Sequence, residues 1–201
     1  MTWLAGVRVS MRESARLRLS DSYAWHRKVW KAFPGVSTRD WLMRIDELRG
    51  SFRLYIISGI KPEVPAWGSW RIREVGKSFL AQDKYLFQLR ANPTVKKWRD
   101  GRKHGTRVAI HDRESLVNWL IQKGEPGGFR IDPDNLEISP PINQPFNKKG
   151  TRGNHKRVDY RGILTVTDHD KFAEAFRMGI GPAKAFGFGM LILKPIKGGK
   201  R

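Results

Sequence analysis

Apolar positions recur along the chain at two periods, and the switch between them orders its elements. In TWLAGVRV, residues 2–9, an imperfect alternation predicts an opening strand. Over SYAWHRKVWKAF, residues 22–33, the period lengthens. At ~100° per residue Trp25, Val29, Ala32 and Phe33 share one side, Arg27, Lys28 and Lys31 the other, and Tyr23 and His26 lie near one edge. Asp21 or Ser22 supplies the N-cap and Pro34-Gly35 the stop. WLMRIDEL and FRLYIISG, separated by RGS, predict a hairpin. The Pro- and Trp-rich stretch 61–73 has no clear period, and GKSFLAQ is expected to close the unit as β-α-β-β-(short α)-β.

The order then repeats. YLFQLRAN predicts a strand, DRESLVNWLIQKG a helix capped by Asp112, GGFRI and LEISPPI short strands, RVDYRGILTVT a long strand, DHDKFAEAFRMG a helix and FGFGMLILKP a final strand. Two βαββαβ units predict an α+β protein of two tandem ferredoxin-like domains, antiparallel sheets with helices on one face. The boundary is expected near residue 82, giving domains 1–82 and 83–201.

Charge moves the question from fold to partner. The chain of 201 residues carries 39 Lys+Arg against 19 Asp+Glu, a net charge of +20, so its summed field attracts polyanions, nucleic acid first. The cations fall in RESARLRLSD, HRKVWK, TVKKWRDGRKHGTR and NKKGTRGNHKR, separated by apolar periodic segments, as loops and edges of a folded body would be. No run approaches ~18 uncharged apolar residues and no signal-peptide pattern opens the chain, so no membrane partner is expected and the protein reads as soluble and cytoplasmic. With no Cys and five scattered His, disulfides are excluded and neither a metal nor a cofactor is expected.

A lone His26 between Trp25 and Arg27 is either a packed helix histidine or a general acid or base. His111-Asp112 and His169-Asp170 resemble metal-binding pairs, but both sit at predicted helix starts, where Asp serves as a cap. His104 and His155 lie in basic loops and read as solvated or phosphate-contacting. GIGPAKAFGFG, with Gly179, Gly181, Gly187 and Gly189, follows a helix rather than a strand, so it is no dinucleotide fingerprint, and it lacks the GK[ST] of a Walker loop. It is a helix cap and turn, or a loop whose backbone amides and Lys184 approach a phosphodiester.

GIGPAKAFGFGMLILKP, the LRANP of FQLRANPTVK and a His on the first helix together resemble the CasE family, the CRISPR-RNA processing endoribonucleases of the type I-E Cascade complex. The resemblance spans nearly the whole chain and departs most at 61–80 and 143–157. It implies tandem ferredoxin-like folds with a Gly-rich loop, and metal-free cleavage of CRISPR precursor RNA at the base of the repeat stem-loop with the product retained. The implied partners are the repeat stem-loop in precursor and mature RNA, other Cascade subunits and, through the complex, target DNA. The family pattern of Tyr, two residues, His, three residues, Trp falls on Tyr23, His26 and Trp30, and Lys31 stands where a basic residue supports the same site.

Metal-free cleavage uses the RNA's own 2′-OH as nucleophile and leaves a 2′,3′-cyclic phosphate and a 5′-OH. The protein then supplies positioning, proton transfer and cations. His26 does the proton work, with the role of acid toward the 5′-oxygen favoured, and Tyr23 orients it or bonds the phosphate or 2′-OH. Arg12, Arg16 and Arg18 are expected to crowd phosphates near the cut, with Arg27 and Lys184 beside them. Lys148, Lys149, Arg152, Lys156 and Arg157 form a loop able to enter a groove of the RNA. Arg90, Lys96, Lys97, Arg99, Arg102 and Lys103 make a further cluster for RNA or another subunit. Trp25, Trp41 and Trp119 fit the core, whereas Trp67, Trp70 and Trp98 lie in loops suited to base stacking or a protein partner. The competing class is a non-catalytic RNA-binding subunit, which needs no Tyr23/His26 pair.

Overall fold

The first half of the chain forms a four-stranded antiparallel sheet in a computed structural model, which describes residues 1–98, 105–148 and 150–196. After β1 (Trp3–Ser10) come two short helices, α1 (Met11–Arg16) and α2 (Ser22–Val29), and a 3-10 turn over Trp30–Ala32. Strands β2 (Trp41–Leu48), β3 (Ser51–Ser58) and β4 (Ser69–Glu74) complete a sheet of order β2-β3-β1-β4. Ala5, Val7, Val9, Met43, Leu54 and Ile56 pack on Trp25 and Val29 of α2, while Leu42 and Ile57 turn the opposite way into the core of the second half. A sheet covered on both faces needs apolar residues on both, which is why β1 alternates imperfectly.

Two expectations fail in this half and one helix goes unread. GKSFLAQ adds no strand; Lys77–Leu80 is one helical turn, α3, and the fourth strand is SWRIRE, antiparallel to β1 with Trp3 opposite Glu74. The chain therefore passes from β3 to β4 without a helix. Trp67 in that connection is 4% exposed and joins the α2 core, so it stacks on no base. Helix α1 is the unread one: Ser10 Oγ accepts from the Glu13 N–H at 3.1 Å, a cap that starts a helix too short to show a period.

The second half contains β5 (Lys84–Ala91), a small hairpin of β6 (Thr94–Lys97) and β7 (Thr106–Ala109), then α4 (Arg113–Gly124) and β8 (Phe129–Ile131). It continues with β9 (Glu137–Ile138), β10 (Ile142–Lys148), β11 (Thr151–Val166), α5 (His169–Met178) and β12 (Leu191–Pro195). The 16-residue β11 pairs with β10, β9 and β8 on one side and β5 on the other, with β12 beyond β5. This repeats the order of the first sheet, with its outer strand broken into three. The chain thus folds as two ferredoxin-like units, the predicted class, although the first unit lacks the helix expected between its third and fourth strands. Asp112 caps α4 as expected, accepting from Ser115 N–H at 2.7 Å, but the cap of α5 is Asp168 and not Asp170.

The basic stretch 147–157 is not a loop. Lys148 pairs with Thr151 at the tip of the β10–β11 ladder, and residues 151–157 belong to β11. Lys149 lies outside the described residues, as do Arg99, Arg102, Lys103 and His104. Lys96 and Lys97 are exposed on β6, followed by Trp98 at 68% exposure.

Arg90 leaves the surface cluster in which the sequence pattern puts it, because it is 8% exposed and joins the halves. Its Nε donates to Asp159 Oδ1 at 3.0 Å, Nη2 to Asp46 Oδ1 at 3.0 Å and Nη1 to the Ile45 carbonyl at 2.5 Å. Arg44 bonds Asp46 at 3.0 Å and Arg157 bonds Asp159 at 2.8 Å. Arg177 of α5 reaches Asp40 at 2.6 Å, a second tie between the halves.

Candidate active site at the junction of helix, hairpin and Gly-rich loop

Helix α2 begins on a carboxylate with two duties. Asp21 Oδ1 accepts from Ala24 N–H at 2.7 Å as N-cap, and its Oδ2 accepts from the Asn147 N–H of β10 at 2.9 Å. The bond that starts the helix is thus shared with the bond that docks the hairpin on it.

The Gly-rich loop arrives from the other side. Gly179, Gly181, Gly187 and Gly189 all have positive φ. Ile180 N–H donates to the Gly189 carbonyl and Gly189 N–H to the Arg90 carbonyl, each at 2.8 Å, which pinches the loop at its base. A side chain at Gly189 would put its Cβ 2.7 Å from the Ile180 carbonyl oxygen, so only glycine fits there. Beyond the pinch, Lys184–Phe186 makes a 3-10 turn that wedges Phe186 among three rings: Phe146 at 4.5 Å, His155 at 4.7 Å and Tyr23 at 6.4 Å. The loop is therefore both cap and turn, and it carries Lys184 to the helix.

His26 is half-buried where these elements meet. Trp30 Nε1–H donates to its Nε2 at 3.1 Å, its ring lies 4.9 Å from Trp41 and 6.3 Å from Tyr23, and its Nδ1 is enclosed without a hydrogen-bond partner. Burial, then the charges of Arg39 and Lys148, push its pKa down to about 4, so the ring is neutral at pH 7. Arg39 places its guanidinium over Trp41 at 5.8 Å, with Nη1 enclosed and unpartnered. Lys184 is held below the usual lysine range by burial and by Arg39. Among the described residues Arg39, Lys148 and Lys184 form no salt bridge. Two partly desolvated cations, Arg39 and Lys184, and the exposed Lys148, none with a counter-charge, favour an anion beside Tyr23 and His26.

The remaining sequence candidates divide. Arg27 is exposed, with its guanidinium 6.0 Å from the Tyr23 ring centroid. Lys31 is exposed and acts on Lys28 together with Arg16, whereas the cations acting on His26 are Arg39 and Lys148. Arg12, Arg16 and Arg18 are exposed on α1 and the turn after it, Arg16 being 3.6 Å from Glu13. Arg152 and Arg157 line a cleft of about 780 Å³ between α2 and the hairpin, Arg157 with its charge already matched by Asp159. The backbone N–H of Lys156 donates to Asn92 Oδ1 at 3.1 Å. His155 is not solvated; it stacks on Phe146 at 4.6 Å, and burial lowers its pKa. Among the described residues no group of three or more His, Asp or Glu is placed to hold a metal ion.

The sequence pattern misses Arg39, Phe186 and the Trp30–His26 bond. Arg39 sits in the aperiodic GVSTRD, and its only signal is a position two residues before a strand that opens on Trp41.

Residues 2–195 match the model of a family described as CRISPR associated protein. The chain belongs to that CRISPR-associated family. Within it, the chain is 26% identical over 197 residues to the Cascade subunit CasE of Escherichia coli K12, covering 90% of this chain and 96% of that protein. It is 31% identical over 119 residues to the CRISPR-associated endoribonuclease Cse3 of Thermus thermophilus, 54% of each. The solved structure of Thermus thermophilus Cse3 with an RNA representing a pre-cleavage complex superposes with a TM-score of 0.80 at 23% identity, over 96% of this chain and 99% of that one.

Proposed function

We propose that this protein is a CRISPR-RNA processing endoribonuclease that works in the cytoplasm. It cuts precursor RNA at the base of a repeat stem-loop without metal and remains on the hairpin as a Cascade subunit. The observation that carries this reading is the convergence of Tyr23 and His26 with Arg39, Lys148 and Lys184, three cations without carboxylate partners, at the joint of two ferredoxin-like units. The domains are taken as 1–82 and 83–201, so the site draws on both. An RNA-binding subunit that never cuts would use the charge but has no need of a neutral histidine among those cations.

In the proposed step His26, neutral at pH 7, takes the proton of the 2′-OH as that oxygen attacks phosphorus. The P–O5′ bond breaks, and the same ring hands the proton to the departing 5′-oxygen, which joins the base role to the acid role favoured from the sequence. Arg39, Lys148 and Lys184 offset the charge that builds on the phosphate oxygens, and Tyr23 orients the ring or the 2′-OH. Exposed Arg12, Arg16, Arg18, Arg27 and Arg152 hold the RNA through phosphates, as suits an A-form stem.

The test is incubation in EDTA at near-physiological salt with a labelled repeat stem-loop, beside His26→Ala and an RNA with a 2′-deoxy at the cut. One cut by wild type, lost with either change while binding persists, is the expected result. Tight binding without a cut would favour the non-catalytic subunit. Cutting that survives His26→Ala would move the site elsewhere.

A further inference from the structure

The bond between Trp30 and His26 determines which ring nitrogen carries the proton. An indole N–H can only donate, so the Nε2 that receives it at 3.1 Å must offer a lone pair. A neutral imidazole with Nε2 unprotonated has its proton on Nδ1, and Nδ1 is enclosed without a partner. Both nitrogens are thereby out of reach of a substrate, one occupied by Trp30 and the other shut in. Protonation would set Nε2–H against the indole N–H, donor facing donor, and leave Nδ1–H still unmatched.

From this geometry we infer that Trp30 is a positioning residue that masks His26, holding it as the neutral Nδ1–H tautomer until RNA displaces the indole and frees Nε2 for proton transfer. The inference rests on the proposed ribonuclease reading for its last step only; the tautomer and the mask belong to the free protein. Trp30 is itself fixed, its ring edge-on to Trp41 at 5.7 Å, so the donor is held in place by the same indole that carries Arg39. The groups around the ring are Tyr23 on its own helix, Arg39 before β2, Lys148 at the end of β10 and, beyond Arg39, Lys184. Arg39 and Lys148 both oppose a second proton on His26, in the same direction as the Trp30 bond.

The experiment is heteronuclear NMR of the His26 ring nitrogens and carbons in the full chain across pH, for wild type and Trp30→Phe, with a melting curve for each. Wild type is expected to show a protonated Nδ1 and an unprotonated Nε2. In Trp30→Phe the Nε2–H form should appear and the ring pKa rise by roughly one unit, the worth of a hydrogen bond of ~1 kcal/mol. The limb of the kcat/KM profile that His26 sets in the free enzyme should move by the same amount. An Nε2–H tautomer in wild type, which needs no variant to read, would overturn the proposal, as would a pKa unchanged in a folded Trp30→Phe. Finally, a non-cleavable 2′-deoxy stem-loop should change the Nε2 signal of wild type. Failure of that RNA to bind would count against the ribonuclease reading, while binding without any change at Nε2 would overturn the unmasking.

Discussion

Two groups of cations lie within the joint of this molecule, and they are treated in opposite ways. Arg44, Arg90 and Arg157 share Asp46 and Asp159, each arginine in a salt bridge with at least one of the two, and tie β2 to β5 and β11. Arg39 and Lys148 act on His26, Lys184 stands beyond Arg39, and among the described residues none of the three forms a salt bridge. Basic residues thus form a structural lock where carboxylates bind them and offset most of their charge, and an anion site where none does. Net charge alone could not separate them. What separates them is the position of two aspartates.

The strongest way to break the comparison is Arg90→Ala, which removes the buried guanidinium that Asp46 and Asp159 share and leaves each aspartate with one arginine. Loss of one partner of a buried pair costs up to about 3–5 kcal/mol, so urea unfolding should show a fall in stability toward that scale, and any loss of RNA cleavage should follow the unfolded fraction. Arg39→Met should do the reverse. We expect a drop in single-turnover cleavage of about 10²–10³, the scale of one lost transition-state donor, with stability equal to or above wild type because an unpaired guanidinium has left the site.

Acid titration of stability sharpens the contrast further. His26 has a folded pKa below its unfolded value of ~6.5, so the unfolded chain binds the proton first and stability falls as pH drops from ~6.5 toward about 4. His155, lowered by burial, shares that window. Burial alone would raise Asp159, but Arg90 and Arg157 outweigh it and hold it below the usual range. Its contribution is therefore present above the unfolded value of ~3.9 and is lost only as pH falls through the lower folded pKa. His26→Ala should shrink the first phase and leave the second in place. In the same titration, wild-type kcat/KM should hold below pH 6 and fall only toward pH 4, where an ordinary histidine would fail near 6.5. The smallest effect is expected for Asp21→Ala, about 1 kcal/mol from the lost helix cap in a thermal melt, with the cleavage rate falling more than that because the hairpin loses its tie to α2.

How much of this could be read beforehand depended on whether an element announces itself through period. Helix α2 did, since Trp25 and Val29 recur at helical spacing behind an Asp cap, and so did β2, β3, β5 and α4. Strand β4 did not, because SWRIRE follows a stretch rich in Pro and Trp and alternates for only six residues at a sheet edge. Strand β10 was hidden by Pro145, tolerated because the strand is outermost in its sheet. His26, Tyr23, Lys148 and Lys184 were legible as chemistry, two of them through a family resemblance. Arg39 was not, since contacts between residues far apart in sequence assemble the anion site, and no local rule marks a guanidinium that will lack a partner.

The site draws its parts from the two ends of the chain, with Tyr23, His26 and Arg39 early and Lys148, Lys184 and Phe186 late. During synthesis the first unit can fold well before the second has emerged. A growing chain would then present its histidine helix to a cell full of messenger and ribosomal RNA. It would do so without the aromatic wedge of Phe186, without the hairpin that Asp21 holds and without two of the three cations. Order of synthesis thus acts as a safety catch: on the proposed reading, the site is complete only once the segment that carries Lys184 and Phe186 has been made and has folded against α2.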